Sequence, residues 1–129
     1  MSEANKSVIM RIFEEMLNQG NRHVRDELIS PDLVSDWDAA SPSVDDLRAS
    51  CPDLRWVVHD QIAEGDMVAN RFTITGTHTG AEFMGIPSSG KRIEVKAIGV
   101  DRLADGVLLQ GWTVLDTHDL LQQLRTGAN

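Results

Sequence analysis

The residues best suited to chemistry lie near the C-terminal end, where Trp112-Thr113-Val114-Leu115-Asp116 sets a carboxylate four residues after a tryptophan in an otherwise apolar run. Strand side chains alternate between faces, so Trp112, Val114 and Asp116 should share one side. A lone acid held against an indole and aliphatic groups is poorly solvated when ionised, which raises its pKa toward values useful for proton transfer. Asp116 is therefore the candidate general acid/base, with Trp112 shaping its pocket. Asp is also a preferred N-cap, and a helical pattern bearing Leu120, Leu121 and Leu124 follows directly, so Asp116 could instead cap a helix; Thr117 is an equally good cap.

His78 stands near a strand end between Gly76 and Gly80, where it could donate to a carbonyl oxygen, or be satisfied by loop backbone. Arg71 and Arg102 can present guanidinium groups to an oxyanion or lie on an outer sheet face as ordinary surface groups. Phe13, Met16, Trp56, Phe72 and Trp112 could line a cavity for a hydrophobic ligand or fill the core. The chain has no tyrosine, leaving histidine, tryptophan N–H or backbone amides as oxyanion donors. His23, His59, His78 and His118 are scattered without paired cysteines, so we expect no metal. Gly80 and Gly85 have phosphate-loop spacing, but Ile86-Pro87 follows in place of Lys-Ser/Thr, and no nucleophile elbow is present. These patterns imply chemistry without a cofactor.

A chain of 129 residues suffices for one domain spanning 1–129. The net charge of −8, with the acids scattered, argues against nucleic-acid and anionic-membrane partners. A single cysteine, Cys51, and the lack of a signal-like or bilayer-length apolar stretch predict a reduced, cytoplasmic setting.

Val8, Ile9, Ile12, Phe13, Met16 and Leu17 recur at helical spacing, with Ser2 or Asn5 as caps and Gly20 as terminator. Asn21 can cap a second helix through Val24, Leu28 and Ile29 that must end before Pro31. Leu33 and Val34 suggest a brief strand, Trp37 to Pro42 a loop, and Ser43 to Ser50 a short helix. Long strands follow at Leu54 to Ala63, Asp66 to Thr79, Arg92 to Leu103 and Val107 to Leu115. Tight turns at Glu64-Gly65-Asp66 and Asp105-Gly106 and a loop from Gly80 to Gly90 connect them, and Thr117 opens a terminal helix. Helices first and hairpin-linked strands afterwards predict an α+β domain in which N-terminal helices pack on a curved antiparallel sheet. Such a sheet can enclose an apolar cavity, and its outer face would be covered by a homodimer partner.

The order of these elements and several strings resemble the SnoaL-like polyketide cyclase family, within the cone-shaped NTF2-like folds. The strings are Phe13-Glu14-Glu15 with Asn18-Gln19-Gly20, Pro52-Asp53-Leu54-Arg55, Thr75-Gly76-Thr77-His78-Thr79-Gly80, Gly85-Ile86-Pro87 with Gly90-Lys91-Arg92, and Asp105-Gly106 leading to Trp112 and Asp116. The resemblance implies intramolecular aldol ring closure without metal or organic cofactor, with Asp116 in the place of the family's aspartate acid/base. Two departures stand out. The segment from Asp36 to Cys51 is shorter than usual, and Asp36-Trp37 stand where the family often has histidine or asparagine, so both become candidate pocket residues.

Two functions are expected from these residues and the resemblance. One is a cofactor-independent cyclase or isomerase acting on a hydrophobic carbonyl compound, with Asp116 and His78 as catalytic candidates and Trp112, Phe13, Met16, Trp37, Asp36 and Phe72 around the substrate. The other is a non-catalytic small-molecule binding protein using the same cavity. Epoxide hydrolysis, known among cone folds, requires an acid and arginine arrangement not identifiable in the chain.

Overall fold

The structure, a computed structural model, describes residues 2–37 and 44–126. Helix α1, Ser2–Arg11, continues without a break into a π-helical stretch, Ile12–Asn18. Its Ile9, Ile12 and Phe13 form the buried stripe that the spacing predicts, and they pack on the sheet. The helix stops at Gly20, whose φ of +74° is in the left-handed region glycine favours. The Asn18 side chain locks this end to the sheet, accepting from the Trp56 N–H at 2.7 Å and donating to the Trp56 carbonyl at 2.9 Å. Helix α2, His23–Leu28, begins as Asn21 Oδ1 accepts from the His23 N–H.

Pro31 stops the second helix as expected, but β1 runs from Ile29 to Trp37 rather than over Leu33 and Val34 alone. It lies at the sheet edge, where a proline is tolerated, and its register is interrupted between Ile29 and Val34. After α3, Val44–Ser50, come β2, Arg55–Glu64, β3, Met67–Thr77, β4, Arg92–Ala104, β5, Val107–Leu115, and α4, Thr117–Thr126. The strand order is β1-β5-β4-β3-β2, antiparallel except where β1 runs parallel to β5. That pair joins elements far apart in sequence, so the intervening chain serves as the long crossover a parallel pair requires. Asp105 and Gly106, both at positive φ (51° and 76°), make the β4–β5 hairpin turn. The anticipated loop from Trp37 to Pro42 and the cap at Ser43 fall largely on 38–43, outside the described residues.

Helix α4 covers the half of β4 that β5 does not reach. Gln123 accepts from the Glu94 N–H and donates to the Glu94 carbonyl, both at 2.8 Å, while Leu120 and Leu124 are buried beneath. Helix α3 is held by the loop after β3. The N–H groups of Gly80 and Ala81 donate to the terminal carbonyls of Ser50 and Ala49, each at 2.9 Å, which satisfies acceptors a helix end leaves open. A β-carbon at Gly80 would run into the Ala49 carbonyl oxygen. Gly80→Ala should therefore separate loop from helix and lower stability by about 2–3 kcal/mol, seen as a reduced urea midpoint at unchanged m-value. A wild-type midpoint would show that the contact is dispensable.

Candidate functional site

Two bulges decide which strand residues face the helices. In β5, Gln110 pairs with Arg102 but Leu108 pairs with Leu103, so Leu109 is an extra residue and the alternation reverses there. Beyond it Gly111, Thr113 and Leu115 turn inward, and Trp112, Val114 and Asp116 turn outward. A second bulge at His59 in β2 similarly turns Gln61 toward the interior, opposite Asn70.

Between this inner face and α1, the π-helical stretch and α3 lies a cavity of about 130 Å³, walled mainly by aliphatic residues with Phe13, Trp56 and Phe72. The polar side chains on its wall are Asp101, Thr113 and the Trp56 indole. Asp101 stands on β4 directly opposite Gly111, and a β-carbon at Gly111 would approach its Oδ1 to 2.9 Å, so glycine makes room for the carboxyl group. The other oxygen, Oδ2, accepts from Asn70 Nδ2 at 3.2 Å. Asn70 is almost wholly buried, and its Oδ1 accepts from Gln61 Nε2 at 2.9 Å; Gln61 also reaches the Lys6 carbonyl. Burial pushes the Asp101 carboxyl up to about 7, because a desolvated carboxylate is disfavoured against its neutral acid. A group so poised can both take and return a proton near neutrality.

Trp112, Val114 and Asp116 do share one side, as alternation requires, but it is the outer side. Asp116 is exposed, and its Oδ1 accepts from the Asp119 N–H at 3.1 Å, the capping role weighed as its alternative. Trp112 is half-buried beside the Arg102 guanidinium, 6.0 Å from the ring centre. His78 is fully buried away from the cavity wall. Its Nε2–H donates to the Ala81 carbonyl at 2.8 Å, and its backbone ties Lys91 and Gly90 to the loop, so it organises the chain that holds α3. Its Nδ1 has no partner among the described residues. Phe13 and Phe72 do line the cavity, 5.0 Å apart between ring centres, while Met16 lines an adjoining groove. Asp36 and Trp37 pair through β1 with Trp112 and Thr113, but their side chains lie outside the described part. Arg71 is an outer-face residue paired with Asp60 at 2.6 Å.

Asp101 was detectable in sequence. The run Ile93, Val95, Ala97, Gly99, Asp101, Leu103 has period two and contains one acid among apolar residues. Elsewhere, Cys51 is buried, with its thiol pushed up to about 11 by burial and then by Asp53, which makes it a poor nucleophile. Among the described residues there is no cluster of three or more histidine, cysteine or acidic side chains that could hold a metal ion, and no helix is long and apolar enough to cross a membrane.

A curled, unclosed five-stranded sheet with helices enclosing an apolar cavity belongs to the NTF2-like class of folds. Within that class the chain belongs to the SnoaL-like polyketide cyclase family, which matches residues 7–124. It is similar to IdmH of Streptomyces antibioticus, a candidate polyketide cyclase, at 31% identity over 93% of this chain and 97% of that one, with a TM-score of 0.81. AclR of Streptomyces galilaeus, a candidate hydroxylase, is 27% identical over 96% of this chain and 82% of that one, with a TM-score of 0.83. A candidate polyketide cyclase of Acidithiobacillus ferrooxidans is also 27% identical, over 97% and 96%, with a TM-score of 0.85. No curated protein matches the chain.

Gly99 occupies the middle of the cavity wall, opposite Thr113. A β-carbon there would meet Phe72, Thr113 and the Trp112 carbonyl at 3.5 Å, an ordinary contact, so an alanine fits while taking cavity space. Glycine weakens a strand interior, and Gly99→Ala should leave the melting temperature unchanged or higher. Binding of a cavity ligand should fall about tenfold, the scale of one methyl group in an apolar pocket. Unchanged ligand affinity in a normally stable variant would show that ligands do not use this wall.

Proposed function

We propose that the protein is a cofactor-independent enzyme that moves a proton within a hydrophobic carbonyl compound to close a ring or shift a bond, with Asp101 as the general acid/base. The observation that carries this is a desolvated carboxyl group with a pKa near neutrality on the wall of an apolar cavity. Ionised Asp101 removes a proton from the carbon between two carbonyls. The resulting enolate carbon attacks a second carbonyl of the same molecule, and the new alkoxide takes the proton back from Asp101. The Thr113 hydroxyl and the Trp56 indole N–H supply hydrogen-bond donors for the developing oxyanion, a role for which the chain has no tyrosine. Asp116, exposed and engaged as a cap, is left with a structural role in this reading.

The pH dependence has a definite sign. Between the ordinary 3.8 and about 7 the folded chain keeps a proton on Asp101 that the unfolded chain has released, so stability falls as pH rises through that window. Asp101→Asn cannot ionise and keeps an acceptor for Asn70. The variant should be more stable than wild type above pH 7, by on the order of 1–3 kcal/mol, with the advantage disappearing toward pH 4. Turnover of a poly-carbonyl substrate should drop at least about a hundredfold, and wild-type kcat/KM should rise with pH through a midpoint near 7. Full turnover by Asp101→Asn sinks the assignment. Mass spectrometry of the incubated compound distinguishes a non-catalytic binding protein, from which it would return unchanged.

A homodimer through the outer sheet face accompanies this reading. That face has a hollow of about 640 Å³ bordered by Ile98 and Val114, 56% and 71% exposed, and lined also by Arg71, Lys96, Glu94 and Asp116. Both charge signs on one patch suit a two-fold pairing of identical surfaces. Light scattering should give a dimer mass for wild type and a monomer for Val114→Glu; a monomeric wild type refutes the pairing.

A further inference from the structure

The cavity is large enough for about one aromatic ring, whereas a ring-forming carbonyl chain is longer, so the remainder of such a ligand must leave through a wall. Leu17 and Val44 border both the cavity and an adjoining groove of about 600 Å³. This groove gathers Arg22, Arg25 and Arg48, three of the twelve lysines and arginines in a chain of net charge −8. Asp45 is the acid on the same wall, leaving the groove with an excess of positive charge.

The three arginines are not equivalent. Arg48 is fixed: it donates to the Leu17 carbonyl at 2.7 Å and lies 5.3 Å from the centre of the Trp56 ring, which itself lines the cavity. Arg22 and Arg25 are exposed, and neither guanidinium has a hydrogen-bond or ion-pair partner among the described residues. Nearby Arg11 shows the contrast, since Glu15 and Glu27 hold it at 2.8 and 2.7 Å. Two unpaired guanidiniums beside a fixed one, in a groove that shares Leu17 and Val44 with the apolar cavity, suit an oxyanion on the trailing part of a ligand.

We propose that the groove binds the anionic group, a carboxylate or a phosphate monoester, of an amphiphilic ligand whose apolar part enters the Asp101 cavity. This deepens the functional reading above and rests on it for the position of the apolar part. The fork geometry of arginine suits both oxyanions, and the two sources are separated by the probes chosen.

The test uses 4-phenylbutyrate, 4-phenylbutyl phosphate and neutral 4-phenylbutyramide, titrated by calorimetry into the wild-type protein and into the double variant Arg22→Gln/Arg25→Gln. Both replaced side chains are exposed, and a melting curve verifies the fold. Wild type should prefer at least one anion over the amide by about tenfold or more, with that preference falling as salt is added. The double variant should lose the preference and keep amide binding. Stronger binding of the phosphate than of the carboxylate assigns a phosphorylated ligand, and the reverse order assigns a free acid. Equal affinities for anion and amide in wild type, an anion preference that survives in the double variant, or no binding of any probe would overturn the proposal. The amide keeps the two readings distinguishable. If the cavity reading fails, Gly99→Val leaves amide binding untouched. If only the arginine reading fails, Gly99→Val still weakens the amide and charge makes no difference.

Discussion

A carboxyl group can stand in an apolar wall only if a neighbour yields space and a buried donor meets one of its oxygens, and this constraint organises the sheet around Asp101. Gly111 yields the space and Asn70 supplies the donor. Asn70 is itself too buried to be left half-bonded, so Gln61 satisfies it, and Gln61 is satisfied in turn by α1 through the Lys6 carbonyl. The polar line thus crosses β4, β3 and β2 to the N-terminal helix, joining the elements that enclose the cavity. A change in any member shifts the desolvation felt by the acid.

The two bulges are what bring that line together. Without the extra residue at His59, Gln61 would point outward and Asn70 would lose its partner; without the one at Leu109, the parity of β5 would set Trp112 and Val114 inside. The second case explains why the acid of Trp112-Thr113-Val114-Leu115-Asp116 is a helix cap and not a buried base. Period-two reading correctly grouped these side chains on one face. It did not identify the face, because inside and outside are assigned by pairing register, and register is a long-range property.

The same distinction separates what was legible elsewhere. Helix α1, the turns at Gly65 and Asp105-Gly106, the four long strands and the terminal helix follow from local periodicity and turn chemistry, and all are present. Local pattern marks only Leu33 and Val34 of strand β1, because its partner, β5, lies at the far end of the chain and Pro31 hides the extended pattern. Phe13 and Phe72 reach the cavity because aromatic residues on apolar faces have few other destinations. At His78 the sequence leaves a chemical role and satisfaction by loop backbone both open, because a histidine near glycines resembles an exposed loop residue; its burial depends on a loop closing over it through Gly80, Ser88 and Gly90.

Asp101 also bears on whether the site binds or reacts. A protein that only sequestered an apolar ligand would gain from asparagine at this position, which can make the Asn70 hydrogen bond without any ionisation to suppress. The acid instead forces the folded chain to hold back an ionisation that water would allow at neutral pH, a standing cost to stability. Binding affinity does not recover that cost, because a carbonyl compound gains no more from a half-ionised acid than from a neutral donor. In the proposed reaction the acid has a use that asparagine lacks, since a donor and acceptor matched to the ambient pH lowers both halves of the exchange. In the proposed reading, the burial of this carboxyl group serves proton transfer, a use that recognition of an apolar ligand does not require.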